Sequence, residues 1–114
     1  MDLGDNNTVY VDVDDALKRV GGNKGLFIKL LGRFIDGNHL EALEGAVSGG
    51  DMEAAARFAH TLKGVSSNLS LVKVATLSAD FEHALKTGGD HTALFNELKE
   101  AYDMTVVKIA EITG

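Results

Sequence analysis

The sequence predicts an all-α protein, an antiparallel up-down-up-down four-helix bundle with a short extra helix at its N-terminal end. Three observations carry this prediction. Apolar residues recur at i, i+3, i+4 and i+7 along most of the chain from Val11 onward, and no alternating strand pattern competes with them. Proline is absent, so nothing in the composition interrupts a long helix. Glycine-rich turns at Gly21-Gly22, Ser48-Gly-Gly-Asp51 and Gly88-Gly89 divide the pattern into segments of helical length, and such short connections make successive helices antiparallel neighbours.

In chain order, residues 1–10 are polar and glycine-containing and read as a flexible N-terminal tail. Val13, Ala16, Leu17 and Val20 form a short amphipathic helix with Asp12 or Asp14 as its N-cap, stopped by Gly21-Gly22. Asn23 caps the next segment, about Lys24 to Val47. Its stripe changes sides between Phe27, Leu30, Leu31, Phe34 and Leu40, Leu43, Val47, so a kink or break is expected at Asp36-Gly37-Asn38. Asp51 caps a helix whose core stripe reads Ala55, Phe58, Leu62, Val65 and Leu69. Ser70 is expected to cap the following helix, with Leu71, Val74, Leu77, Ser78, Phe81 and Leu85 inward. Asp90 caps the last, with Phe95, Leu98, Tyr102, Val106 and Ile109 as its stripe.

With 114 residues the chain is one domain with a single core. The 45% hydrophobic and 25% charged content fits a packed soluble domain. The net charge of −6 argues against nucleic acid as a partner, because a phosphate backbone calls for a basic surface. No apolar run approaches the roughly 20 residues of a membrane span, and the N-terminus lacks a signal-peptide pattern, so a soluble cytoplasmic domain is expected, and it is read as a monomer. Cysteine is absent, which removes disulfides and thiolate metal sites.

The informative stretch runs from Ala56 to Asn68. His60 falls opposite the core stripe, among Ala56, Lys63, Gly64 and Ser67. Its neighbours are small apart from one lysine. Glycine within a helix costs about 1 kcal/mol against alanine, so Gly64 reads as space cleared beside the imidazole for something large to approach. Counting from the two turns puts His60 opposite roughly His39 on one neighbour and roughly Ala79 on the other.

Ala59-His60-Thr61-Leu62-Lys63-Gly64, followed by Ser66-Ser67-Asn68-Leu69, resembles the signature of histidine-containing phosphotransfer (HPt) domains. The likeness extends to Leu30-Leu31-Gly-Arg-Phe34 and to Phe81-Glu82, and the domain it implies spans residues 11–114. Ser70 departs from it, since many members carry glycine there. The resemblance implies that His60 is the phosphoacceptor of a two-component phosphorelay, taking a phosphoryl group from one receiver-domain aspartate, or from a kinase, and passing it to another. Nε2 is the nitrogen used by the family's habit. The partners implied are response-regulator receiver domains and a sensor histidine kinase. Mg²⁺ and the catalytic machinery would belong to the receiver, leaving this chain a carrier without a cofactor of its own rather than an enzyme.

In this setting Lys63 would disfavour the imidazolium and neutralise a phosphoryl group once attached. Ser67 would donate a hydrogen bond to a phosphoryl oxygen, and Gly64 would give steric access. Glu82 lies within about a turn of the level of His60. In the related domain of chemotaxis kinases a glutamate at a similar spacing orients the imidazole through its second nitrogen, while a solvated surface glutamate fits this sequence equally well. A phosphotransfer-inactive helical interaction module, or the phosphate-bearing domain of a chemotaxis-type kinase, are the alternatives. A metal-carboxylate bundle is disfavoured, because Asp36-x-x-His39 and Asp80-x-x-His83 fall short of the ligand spacing that it needs.

Overall fold

The computed structural model describes residues 10–113. Its helices are α1 (Val13–Arg19), α2 (Lys24–Gly37), α3 (His39–Ser48), α4 (Met52–Asn68), α5 (Val72–Thr87) and α6 (His91–Thr113), with no strand among the described residues. The expected tail lies outside the described residues except for Tyr10, which packs against the core beneath the Lys73 ammonium, 5.7 Å from its ring centroid.

Most helix starts follow the capping chemistry of the sequence. Asp12 accepts from the Asp15 amide at 3.1 Å, Asn23 from Leu26 at 3.0 Å and Asp51 from Ala54 at 3.0 Å, each satisfying an amide that the helix itself leaves unpaired. Asp90 accepts from Thr92 at 3.1 Å at the head of α6. Gly50 and Gly88 take the left-handed conformation that their turns require, with φ of 75° and 77°.

The segment from Lys24 to Val47 is broken, not kinked. Asn38 adopts φ 47°, ψ 50°, ending α2 and opening α3, and its side-chain amide donates to Glu41 at 2.5 Å. Asparagine tolerates this conformation better than most residues. A Cβ on Gly37 would stand 2.8 Å from the His39 ring, so the glycine also makes room for that imidazole.

Ser70 departs from expectation. It does not cap α5, whose N-cap is Leu71 with no side-chain hydrogen bond. Its own backbone is left-handed, with φ 57°, which explains why glycine suits this position. The Ser70 hydroxyl donates to Asp15 Oδ2 at 2.5 Å and its carbonyl accepts from the Asp12 amide at 2.9 Å, so the α4–α5 turn is tied to the start of α1. Hydrogen bonds from Ser70 and Arg19 hold the Asp15 carboxyl below its ordinary pKa.

The core is built on Phe27, Leu31 and Phe34 of α2, Leu43 of α3, Leu62 of α4, Phe81 of α5 and Leu98 and Ile109 of α6. Tilted aromatic pairs join it across helices, Phe34 with Tyr102 and Phe81 with Phe95, both at 5.4 Å between centroids. α4 packs most extensively on α5, and its buried face is Ala54, Ala55, Ala59, Leu62 and Ser66. The expected stripe was therefore set at the wrong angle. Ala55, Leu62 and Leu69 are buried, but Phe58 is 36% exposed and Val65 only partly buried. Small residues on the buried face suit the close approach of α4 to α5, because interaxial distance follows the side chains at the contact.

Candidate functional site

His60 projects from the middle of α4 with 66% of its side chain exposed. Its neighbours Ala59 and Leu62 are buried, which fixes the rotation of the helix and turns the imidazole outward. Facing it from α5 is Glu82, which follows the fully buried Phe81 and is itself only 7% exposed. The two meet across the helix pair, with His60 Nδ1 3.3 Å from Glu82 Oε1 and 3.2 Å from Oε2. Lys86, one turn beyond Glu82, places Nζ 2.9 Å from the same Oε2.

Burial pushes the Glu82 carboxyl up, but hydrogen bonds from Lys86 and His60, with the attraction of their charges, outweigh it and bring its pKa below the usual value. Glu82 is thus a carboxylate, and a carboxylate can only accept. The shared hydrogen must sit on Nδ1, and in the neutral ring the lone pair is then on Nε2, the edge turned away from Glu82.

His60 lines an open cleft of about 630 Å³ with Arg57, Phe58 and Thr61 of α4 and Glu82 and Lys86 of α5. The Arg57 guanidinium lies 5.9 Å from the Phe58 ring centroid, so the cleft combines an apolar ring with two cations, Arg57 and Lys86, and two acidic side chains, Glu53 and Glu82.

The residues singled out from sequence take different places. Gly64 is exposed, and a Cβ added there would meet nothing within 4 Å. Lys63 is partly buried, forms no ion pair among the described residues and does not line the cleft. Ser67 is exposed and also lies outside the cleft lining.

His39 is not opposite His60. Its ring packs on Phe34 at 5.5 Å and lines a separate pocket with Leu30, Arg33, Val65 and Asn68, near the far end of α4. The break at Asn38 removes the continuous helix on which the count of levels relied. Ala79, the other expected neighbour, lies three positions before the residue that makes the contact. His83 is exposed, and His91 sets its ring edge-on to Phe81 at 6.1 Å. Among the described residues no group of three or more His, Asp or Glu could hold a metal ion, and no helix is long and apolar enough to cross a membrane.

Sequence reasoning left Glu82 undecided and missed Lys86, Arg57 and Phe58. The spacing of Glu82 and Lys86 was the available signal, since a glutamate four residues before a lysine pairs with it on a helix. Arg57 and Phe58 had no comparable signal, because the cleft wall that they form exists only once α4 is rotated by its packing.

The family model described as Hpt domain matches residues 30–106, well over half of the chain and inclusive of His60, Glu82 and Lys86. No curated protein and no solved structure gives a significant match.

Proposed function

The chain belongs to the Hpt domain family, whose members carry phosphoryl groups in two-component signalling, and from that premise we propose that His60 is its phosphoacceptor, reacting through Nε2. The observation that carries this reading is the Glu82 contact. With Nδ1–H engaged, the lone pair stands on the exposed ring edge, where an electrophile can approach in line.

The Nε2 lone pair attacks phosphorus of an aspartyl phosphate, the N–P bond forms and the P–O bond to the aspartate breaks. The bonding pair leaves with the regenerated carboxylate. Nδ1 keeps its hydrogen, and Glu82 offsets the positive charge that the ring acquires. The reverse step delivers the group to a second receiver aspartate.

The partners are receiver domains and a sensor histidine kinase, and the Mg²⁺ that such a transfer uses is held by the receiver. The protein acts as a phosphoryl carrier, a cytoplasmic monomer whose long helices alternate up and down. The short connections at 49–51, 69–71 and 88–90 support that alternation. Gly64 leaves the approach to the ring open, Lys63 adds positive potential along the same helix, and Ser67 stands one further turn away as a hydrogen-bond donor. The Glu82–His60 contact also favours a second reading with the same chemistry, the phosphate-bearing domain of a chemotaxis-type kinase.

The test is incubation with a panel of phosphorylated receiver domains, following label onto this chain. Transfer from at least one receiver is expected. Labelling by an autophosphorylating kinase domain alone would select the second reading, and no labelling by either would leave a helical interaction module.

A further inference from the structure

His60 and Lys86 converge on one buried carboxylate from two helices. Oε2 of Glu82 lies 3.2 Å from the ring nitrogen and 2.9 Å from the ammonium, so a single oxygen is shared between them. Glu82 is 7% exposed and has little water to solvate its charge, whereas Lys86 is 63% exposed on its side chain. Such an arrangement raises a chemical difficulty. A poorly solvated carboxylate with the imidazole as its only partner draws a proton onto the ring, making an imidazolium–carboxylate pair. That proton occupies Nε2, and the nucleophile is lost.

We propose that Lys86 is a positioning residue that shares the Glu82 charge, so that Glu82 orients the His60 ring without also drawing a proton onto Nε2. This rests on the assignment of His60 as phosphoacceptor and adds to it a residue that never touches phosphorus. The ammonium occupies one lone-pair direction of Oε2 and compensates the buried charge, leaving the carboxylate able to accept the neutral Nδ1–H bond. The lowered Glu82 pKa, which both hydrogen bonds support, agrees with this division.

The other charged groups around the pair do not take this role. Glu53 and Arg57 of α4 line the same cleft without an ion pair to Glu82 among the described residues. On α6, His91 sets its ring against Phe81, and no ion pair joins it to Glu82 among the described residues. Lys63, the cation singled out from the sequence, makes no ion pair with Glu82.

The experiment compares wild type with Lys86→Met, which keeps the aliphatic stem but removes the charge, and Lys86→Arg, which restores it. Phosphoramidate serves as a small donor; its P–N bond breaks, ammonia leaves and the N–P bond to His60 forms, so no receiver docking enters the rate. The expected result for Lys86→Met is an acidic limb of the pH–rate profile moved up by about half a pH unit, a deficit that closes as pH rises. Lys86→Arg should return the limb towards wild type, and added salt should shrink the difference, as befits a partly exposed charge. Superimposed profiles would overturn the proposal, and so would a drop uniform across pH, which would mean that Lys86 handles the donor phosphate directly. NMR titration of the His60 ring protons reads the same protonation without any donor. A shift there in Lys86→Met with no phosphotransfer by wild type would uphold the charge-sharing and refute the phosphoacceptor assignment, so the two failures are separable.

Discussion

Two histidines at two helix contacts show what distinguishes a chemically usable imidazole from a packed one. His60, at the α4–α5 contact, is exposed and anchored through Nδ1 to a buried carboxylate that also binds Lys86. His39, at the α2–α3 break, lies on Phe34, and among the described residues it has no carboxylate partner. Burial there lowers its pKa. The two settings act on their rings in different ways. At His39 the apolar surroundings exclude charge, whereas at His60 the surroundings fix which nitrogen carries the hydrogen. Neutrality alone does not make a nucleophile; a fixed tautomer on an open ring edge does.

The sharpest way to break the contrast is to exchange each ring for an amide. His60→Gln should abolish phosphoryl acceptance and leave the melting temperature nearly unchanged, because the ring is outside the core. His39→Gln should be labelled at the wild-type level. Labelling that persists in the first variant and vanishes in the second would reverse the two roles.

Steric access comes next. Gly64→Gln should fold and melt no lower than wild type, since a Cβ there meets nothing and helix propensity improves. Transfer from a receiver should fall on the order of a hundredfold if the long side chain displaces the incoming phosphoryl group by even an ångström. Normal transfer by a well-folded Gly64→Gln protein would show that the opening beside His60 is incidental.

These residues also show how far the sequence could be read. Three caps, the break at Asn38 and the outward turn of His60 were all legible, because each depends on local chemistry within a few residues. The angle of α4 was not. Four alanines give a weak hydrophobic signal beside one phenylalanine, so the periodicity followed Phe58, while close packing on α5 selected Ala54, Ala59 and Ser66 alongside the expected Ala55 and Leu62. Ser70 misled for a related reason. A serine between two helices has the chemistry of a cap, and only the path of the turn reveals that its φ is 57° and that its hydroxyl serves Asp15. The Glu82 contact and the cleft depend on the register between two helices, which no single segment encodes.

A smaller effect is expected at Lys63. Because it does not line the cleft, Lys63→Ala should slow transfer within the docked complex by about fivefold, near 1 kcal/mol, through loss of positive potential alone. Unchanged transfer with much weaker receiver binding would make it a docking residue. The smallest effect belongs to His39 and to stability. Its folded pKa lies below the usual 6.5, so the unfolded chain binds more protons as pH falls through that value. Its contribution is complete above pH 6.5 and declines below it until the folded pKa is reached. The melting temperature should therefore drop by about 1–3 °C on that side, and His39→Gln should remove this component. A drop of the same size in His39→Gln would assign it to other groups.

One nitrogen carries the chemistry proposed for His60. NMR of the phosphorylated, nitrogen-15-labelled protein, read through nitrogen–phosphorus coupling, identifies the atom that carries phosphorus. One acid-labile, base-stable phosphoramidate is expected on Nε2 of His60, with the hydrogen retained on Nδ1 beside Glu82. Phosphorus on Nδ1, or on His39, His83 or His91, would contradict it.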